Sequence, residues 1–134
     1  MKLSSVISEN ELIFLPFDAA DIDVIGVCAD SRKLRPGELF FSLDGEKAHM
    51  FDAAVKGAAA VVTDSASDER FPVPTVIVKE AREAFALACL AMCGNPQKKL
   101  RLCAVTGTNG KTTVSAMLSE ILREGGYNTF LIGT

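Results

Sequence analysis

The run Gly107-Thr108-Asn109-Gly110-Lys111-Thr112-Thr113 gathers the residue types that hold a phosphate chain. Glycines let backbone N–H groups come close to phosphate oxygens. A lysine neutralises their charge, and an adjacent hydroxyl ligates Mg²⁺. The flanks fall in the required order. Residues 100–106 are an apolar run that reads as a strand, and residues 112–124 carry Val114, Met117, Leu118, Ile121 and Leu122 on one helical stripe. The strand delivers the chain to a tight turn, and the helix starts there with its positive end toward the anion. Lys111 would then reach the β- and γ-phosphates, with Thr112 as the magnesium ligand. The match to G-x-x-x-x-G-K-[ST] has one departure, because its first glycine would fall at Val105. A plain helix-capping glycine turn with Lys111 as a solvated charge does not require strand, loop, lysine, threonine and helix in this sequence.

The elements that must position this loop alternate between strand and helix. Residues 2–8 read as a short helix and residues 24–29 as a buried strand. Residues 39–43 read as the next strand, ended by Asp44-Gly45. Residues 51–60 favour helix, 60–63 strand, 65–74 a polar loop and 75–78 a β-branched strand. Residues 80–93 are alanine-rich and helical, stopped by Gly94-Asn95-Pro96. A further strand begins at residues 128–132. This alternation predicts an α/β protein with a largely parallel sheet. A domain boundary is expected at the charged linker, giving domains 1–96 and 97–134. The second holds one strand-helix-strand unit, whose strands are apolar enough to need cover on both faces, so it reads as the opening of a larger domain.

Composition narrows the function classes. The chain has 134 residues, 49% of them apolar and 23% charged, as in an ordinary globular protein. Fourteen basic against seventeen acidic residues argue against a nucleic-acid binder. Cys28, Cys89, Cys93 and Cys103 sit in apolar runs without a C-x-x-C pair, and His49 is the single histidine. That pattern does not suit a zinc site and predicts small buried thiols. No signal peptide is visible, and the longest apolar run, residues 85–93, falls well short of the roughly twenty residues of a membrane span. A cytoplasmic protein without membrane attachment is expected.

The segment Val105-Thr106-Gly107-Thr108-Asn109-Gly110-Lys111-Thr112-Thr113 resembles the nucleotide loop of the Mur ligases, in which a first-position glycine is not required. Thr-Asn before Gly110 and Thr112-Thr113 after it look most like the MurE type. The earlier segments agree. Asp30-Ser31-Arg32, Pro36-Gly37-Glu38-Leu39-Phe40-Phe41-Ser42-Leu43, Gly45-Glu46-Lys47-Ala48 and Gly57-Ala58-Ala59-Ala60-Val61-Val62 resemble the UDP-binding domain shared by MurE and MurF enzymes. Phe130-Leu131-Ile132-Gly133-Thr134 resembles the end of the family's next strand. One departure is the segment after Gly45, where relatives carry Asp-Gly before a histidine and a phenylalanine and this chain has the shorter Glu46-Lys47-Ala48-His49-Met50-Phe51.

The resemblance implies an amino-terminal UDP-binding α/β domain followed by the first strand-loop-helix-strand unit of a parallel-sheet ATPase domain. It implies an ATP- and Mg²⁺-dependent ligase that adds the third amino acid, diaminopimelate or lysine, to UDP-N-acetylmuramoyl-L-alanyl-D-glutamate through an acyl phosphate. Lys111 would be catalytic, and Gly107, Thr108, Asn109, Gly110, Lys111, Thr112 and Thr113 would bind ATP, with Thr112 on the metal. Ala29, Ser31, Glu46, Lys47 and Ala48 would contact the UDP end, the last three on a loop. His49, with no carboxylate partner readable nearby, is expected on a surface loop. The full-length enzyme is expected to be a monomer, and this chain to be inactive alone. The alternatives are another enzyme of the superfamily, such as a MurF-type or folate ligase, or a non-catalytic protein that binds UDP-sugar or nucleotide. MurF would more often show serine at position 108, and folate ligases lack the first domain.

Overall fold

The protein was analysed as a computed structural model, which describes residues 1–66 and 70–133. Residues 67–69 of the expected 65–74 loop, and Thr134 at the end of the expected last strand, lie outside the described residues. The chain divides into two compact units, Met1–Lys99 and Leu100–Thr134.

The first unit is a five-stranded sheet flanked by helices. In chain order its elements are α1 (Leu3–Val6), β1 (Leu12–Phe14), β2 (Gly26–Cys28), β3 (Glu38–Phe41), α2 (Lys47–Val55), β4 (Ala60–Thr63), β5 (Thr75–Val78), α3 (Ala81–Met92) and a 3₁₀ turn, Pro96–Lys98. The strand order is β1-β5-β4-β3-β2. Strands β2, β3, β4 and β5 are parallel, and β1 closes the far edge antiparallel to β5.

Alternation along the strands builds two cores. Leu39 and Phe41 of β3, Ala60 and Val62 of β4, and Val76 and Val78 of β5 face α1 and α3, where they meet Leu3, Val6, Ala81, Ala84 and Ala88. Phe41 also packs on Phe85, ring centroids 5.3 Å apart. Phe40 and Val61 point to the other face and meet Met50 and Ala53 of α2. The adjacent phenylalanines thus serve opposite sides of one sheet, as the two-residue period of a strand requires. Alanines on α3 let that helix lie close against the β-branched face.

The ends of α3 are specified in the sequence. At its start the Glu80 carboxylate accepts from the N–H groups of Arg82 and Glu83, and Asp64 Oδ2 accepts from Ala81 N. At its finish Gly94 and Asn95 adopt φ of 74° and 54°, and Asn95 N donates to the Leu90 carbonyl at 2.8 Å. Glycine and asparagine are the residues that tolerate this left-handed backbone.

Several expectations need correction. Strand β2 is half-buried rather than buried, because it is an edge strand with a neighbour on one side only. Strand β1 does not stand out in the sequence. Helix α2 begins at Lys47, four residues before the expected start, and ends at Val55. Cys28 and Cys89 are half-buried, while Cys93 and Cys103 are exposed. Cys93 is already the residue after the helix, where the chain turns outward.

The second unit contains α4 (Lys111–Glu124). The strands expected at residues 100–106 and 128–132 do not form. A strand is a paired state, defined by hydrogen bonds to a neighbour, and apolar composition alone does not create it. Leu102, Phe130 and Ile132 are exposed. Within this unit the Ser119 and Thr129 hydroxyls lie 3.0 Å apart, and the Arg101 guanidinium stacks 5.9 Å from the Tyr127 ring centre.

Candidate functional site

Each unit carries one candidate site. In the first, a pocket opens at the carboxyl ends of β2 and β3, where open parallel sheets usually place their ligands. Ala29, Asp30, Ser31 and Arg32 come from the chain leaving β2. Leu43 and Asp44 come from the chain leaving β3, Phe40 forms the floor, and His49 and Asp52 reach in from α2.

The polar groups here are paired. Arg32 grips Asp30 with two bonds, Nε to Oδ1 and Nη2 to Oδ2, both 2.9 Å, and its backbone N–H adds a third at 3.1 Å. These bonds, the guanidinium's first, lower the Asp30 pKa to about 2. Asp44 Oδ1 accepts from Glu46 N at 3.0 Å, and Oδ2 lies 3.0 Å from His49 Nδ1. The Glu46 N–H is the main cause holding Asp44 below the usual carboxylate range, with the imidazole helping. Asp52 is also held low, chiefly by Lys56 and then by the Ser31 hydroxyl. The pocket therefore presents three ionised carboxylates, each already neutralised or hydrogen-bonded by a neighbour.

The residues expected at the UDP end are not all brought to this pocket. Ala29 and Ser31 line it. Glu46 is the N-cap of α2, and Lys47 and Ala48 form the first turn of that helix instead of a loop. Lys47 and Ala48 line a second, apolar groove with Phe51, Val55 and Phe71, and among the described residues only Asp52 borders both depressions. The helix starts early because the Asp44 carboxylate takes the Glu46 N–H, turning the chain at once after Gly45. His49 likewise sits on α2, with the carboxylate partner that its sequence neighbourhood did not reveal. Asp44 and Asp52 were missed as pocket residues. The readable signals were Asp-Gly at a strand end and the four-residue spacing of Asp52 from Lys56.

In the second unit, the chain from Gly107 to Thr113 forms a turn feeding directly into α4. Gly107 and Gly110 have φ of 153° and 76°, and Gly110 is the N-cap. A Cβ at Gly110 would meet nothing within 4 Å, so glycine is required there by backbone conformation, not by space. Gly110 brings no side-chain cap to the first turn of α4, and no hydrogen bond to that turn's N–H groups comes from a side chain among the described residues. Lys111 Nζ folds back onto the Gly107 carbonyl at 2.6 Å. The Thr112 side chain stands in the exposed first turn, beside the N–H groups a helix leaves unbonded at its start. Glycine conformations, uncapped N–H groups, a lysine already over the loop and an adjacent hydroxyl fit a phosphate chain with its magnesium ion.

Comparison with known proteins bears on both sites. No family model matches the chain. The UDP-N-acetylmuramoyl-L-alanyl-D-glutamate–2,6-diaminopimelate ligase of Listeria innocua is 42% identical over 120 residues, covering 87% of this chain and 24% of the relative. The enzyme of the same name from Bacillus licheniformis is 38% identical over an alignment covering all of this chain and 28% of the relative.

The chain belongs to the Mur ligase family.

It spans about a quarter of the length of the curated relatives it matches. A solved structure of a diaminopimelate ligase of the same name superposes on 77% of this chain with a TM-score of 0.59 at 26% identity. Its mixed α/β architecture, with a largely parallel five-stranded sheet, accords with an amino-terminal part of the Mur ligase fold. Among the described residues, no helix is long and apolar enough to cross a membrane.

Proposed function

We propose that this chain is the amino-terminal part of a MurE-type ligase, a cytoplasmic enzyme joining the third amino acid to UDP-N-acetylmuramoyl-L-alanyl-D-glutamate at the expense of ATP. Residues 1–96 hold the UDP end of the nucleotide-sugar substrate, and residues 97–134 begin the ATP-binding domain. The observation that carries this reading is the glycine loop on an uncapped helix, in a chain 42% identical to a named diaminopimelate ligase.

The reaction transfers the γ-phosphoryl group of ATP to the D-glutamyl γ-carboxylate, releasing ADP, and an amine then attacks the acyl phosphate to form the amide with loss of inorganic phosphate and a proton. Such chemistry depends on neutralising and aligning phosphate oxygens. Backbone N–H groups from Gly107 to Thr113, Thr108 and Asn109 included, bind them. Lys111 moves from the Gly107 carbonyl to the phosphate chain and spreads its charge. The Thr112 hydroxyl would hold magnesium, which supplies further charge neutralisation when bound. Three ionised carboxylates around Ser31 suit a neutral hydrogen-bonding group, such as a uracil ring, better than a diphosphate.

Two measurements test the assignment. Adding Mg·ATP to the chain should shift the amide resonances of Gly107–Thr113 and leave those of Ala29 and Ser31 in place. The UDP-sugar dipeptide should do the reverse. In the full-length ligase, Lys111→Ala should lower the rate of tripeptide formation by at least ~100-fold, the scale of losing one charge-stabilising donor. Near-normal turnover in that variant would remove the phosphate-loop reading.

A further inference from the structure

Helix α3 ends in two free thiols one turn apart. Cys89 is half-buried and Cys93, the residue that closes the helix, is exposed. The Cys93 N–H donates to the Cys89 carbonyl at 3.1 Å, so helical backbone joins them and both side chains leave one face. That spacing decides what the pair can do. Residues four apart on a helix have β-carbons about 5–6 Å apart, whereas a disulfide needs about 3.8 Å. The pair is too wide to close on itself without breaking the turn. A metal ion between two sulfurs, each bond about 2.3 Å long, asks for a sulfur separation of about 4.6 Å, which this backbone reaches.

We propose that Cys89 and Cys93 form a two-coordinate site for a soft monovalent cation of the Cu(I) class. Among the described residues, no group of three or more His, Cys, Asp or Glu is placed to hold a metal. Two sulfurs alone leave zinc short of its four ligands. They suit Cu(I), which prefers thiolates and is content with two of them. Burial pushes the Cys89 thiol up, and the charge of Cys93 adds to the effect. Two bare thiolates here would repel, and a cation between them cancels that repulsion. Binding replaces both S–H bonds with S–Cu bonds and releases both protons to solvent, with no electron transferred. The bridge staples the last turn of α3 just ahead of its Gly94-Asn95 stop.

The test titrates Cu(I), supplied as its acetonitrile complex without oxygen, into the whole chain. Native mass spectrometry should show a single ion per chain and the loss of both thiol protons. Bound Cu(I) should protect Cys89 and Cys93 together from alkylation while exposed Cys103 still reacts, and it should raise the thermal midpoint. Excess Zn²⁺ should not displace it. Cys89→Ser and Cys93→Ser should each lose the ion, whereas Cys28→Ser and Cys103→Ser should keep it. Cys93 is exposed, so its variant separates loss of a ligand from loss of the fold. Cys93→Met keeps a soft sulfur that carries no proton. It should hold the ion more weakly and release one proton fewer. Retention of the ion by Cys93→Ser, its loss in Cys28→Ser or Cys103→Ser, or an ion shared between two chains would overturn the proposal.

Discussion

The two longest helices of this chain begin in opposite ways. At α3 the first N–H groups are met by carboxylates: Asp64 takes Ala81, and Glu80 takes Arg82 and Glu83. At α4 a glycine in the left-handed region leads in, and among the described residues no side chain caps the turn. Burial follows the same division. Ala81, Ala84 and Ala88 of α3 are buried in a core, while α4 buries no residue and leaves Val114, Met117 and Ile121 exposed. A helix whose donors are satisfied internally is finished as a structural part. One whose donors remain available is suited to meeting an anion from outside, the role proposed for α4.

The sharpest way to break this contrast is hydrogen exchange. Amides of α4 from Val114 to Glu124 should exchange at least ~100-fold faster than those of Ala84–Met92, because the former open locally and the latter only with their core. Equal protection would show that α4 is supported as firmly as α3. A smaller effect separates the two starts directly. Glu80→Ala should cost about 1 kcal/mol in denaturant unfolding, the typical loss for an N-cap. Lys111→Ala, on an exposed turn, should change stability by less than about 0.5 kcal/mol. If the order were reversed, Lys111 would have a structural role.

The smallest effect concerns Asp30. An NMR titration should place its midpoint near 2, and Arg32→Ala should move it back toward ~3.9. Its folded value is depressed, so the pair's contribution to stability is full above the unfolded value of ~3.9 and fades as pH falls toward about 2. The loss should be slight, since Arg32 is 84% exposed and water screens the pair.

The glycine loop was legible because it is a local device, with turn, cation, hydroxyl and helix start lying within seven consecutive residues. Strands β3, β4 and β5 were legible for a related reason: each is a short apolar run flanked by turn residues. Strand β1 was not, because Leu12-Ile13-Phe14 becomes a strand only by pairing with β5, more than sixty residues away. The same limit hid half of the first pocket. Ser31 could be singled out, but Asp44, His49 and Asp52 meet it through a strand register and a helix start that no single stretch of sequence displays. Paired strands at residues 100–106 and 128–132 were expected from composition, which cannot show whether a partner lies in register.

On the proposed role of Lys111, its tether to the Gly107 carbonyl would turn anion capture into a hand-over. A free lysine carries about 2 kcal/mol of rotamer entropy. Here much of that freedom is surrendered to the bond with Gly107. A phosphate oxygen that takes the ammonium replaces one acceptor with another and need not recruit a wandering side chain. The same tether sets a threshold: a weak acceptor cannot draw the cation away from the carbonyl it already has. Readiness and discrimination are thus the same bond seen from its two ends.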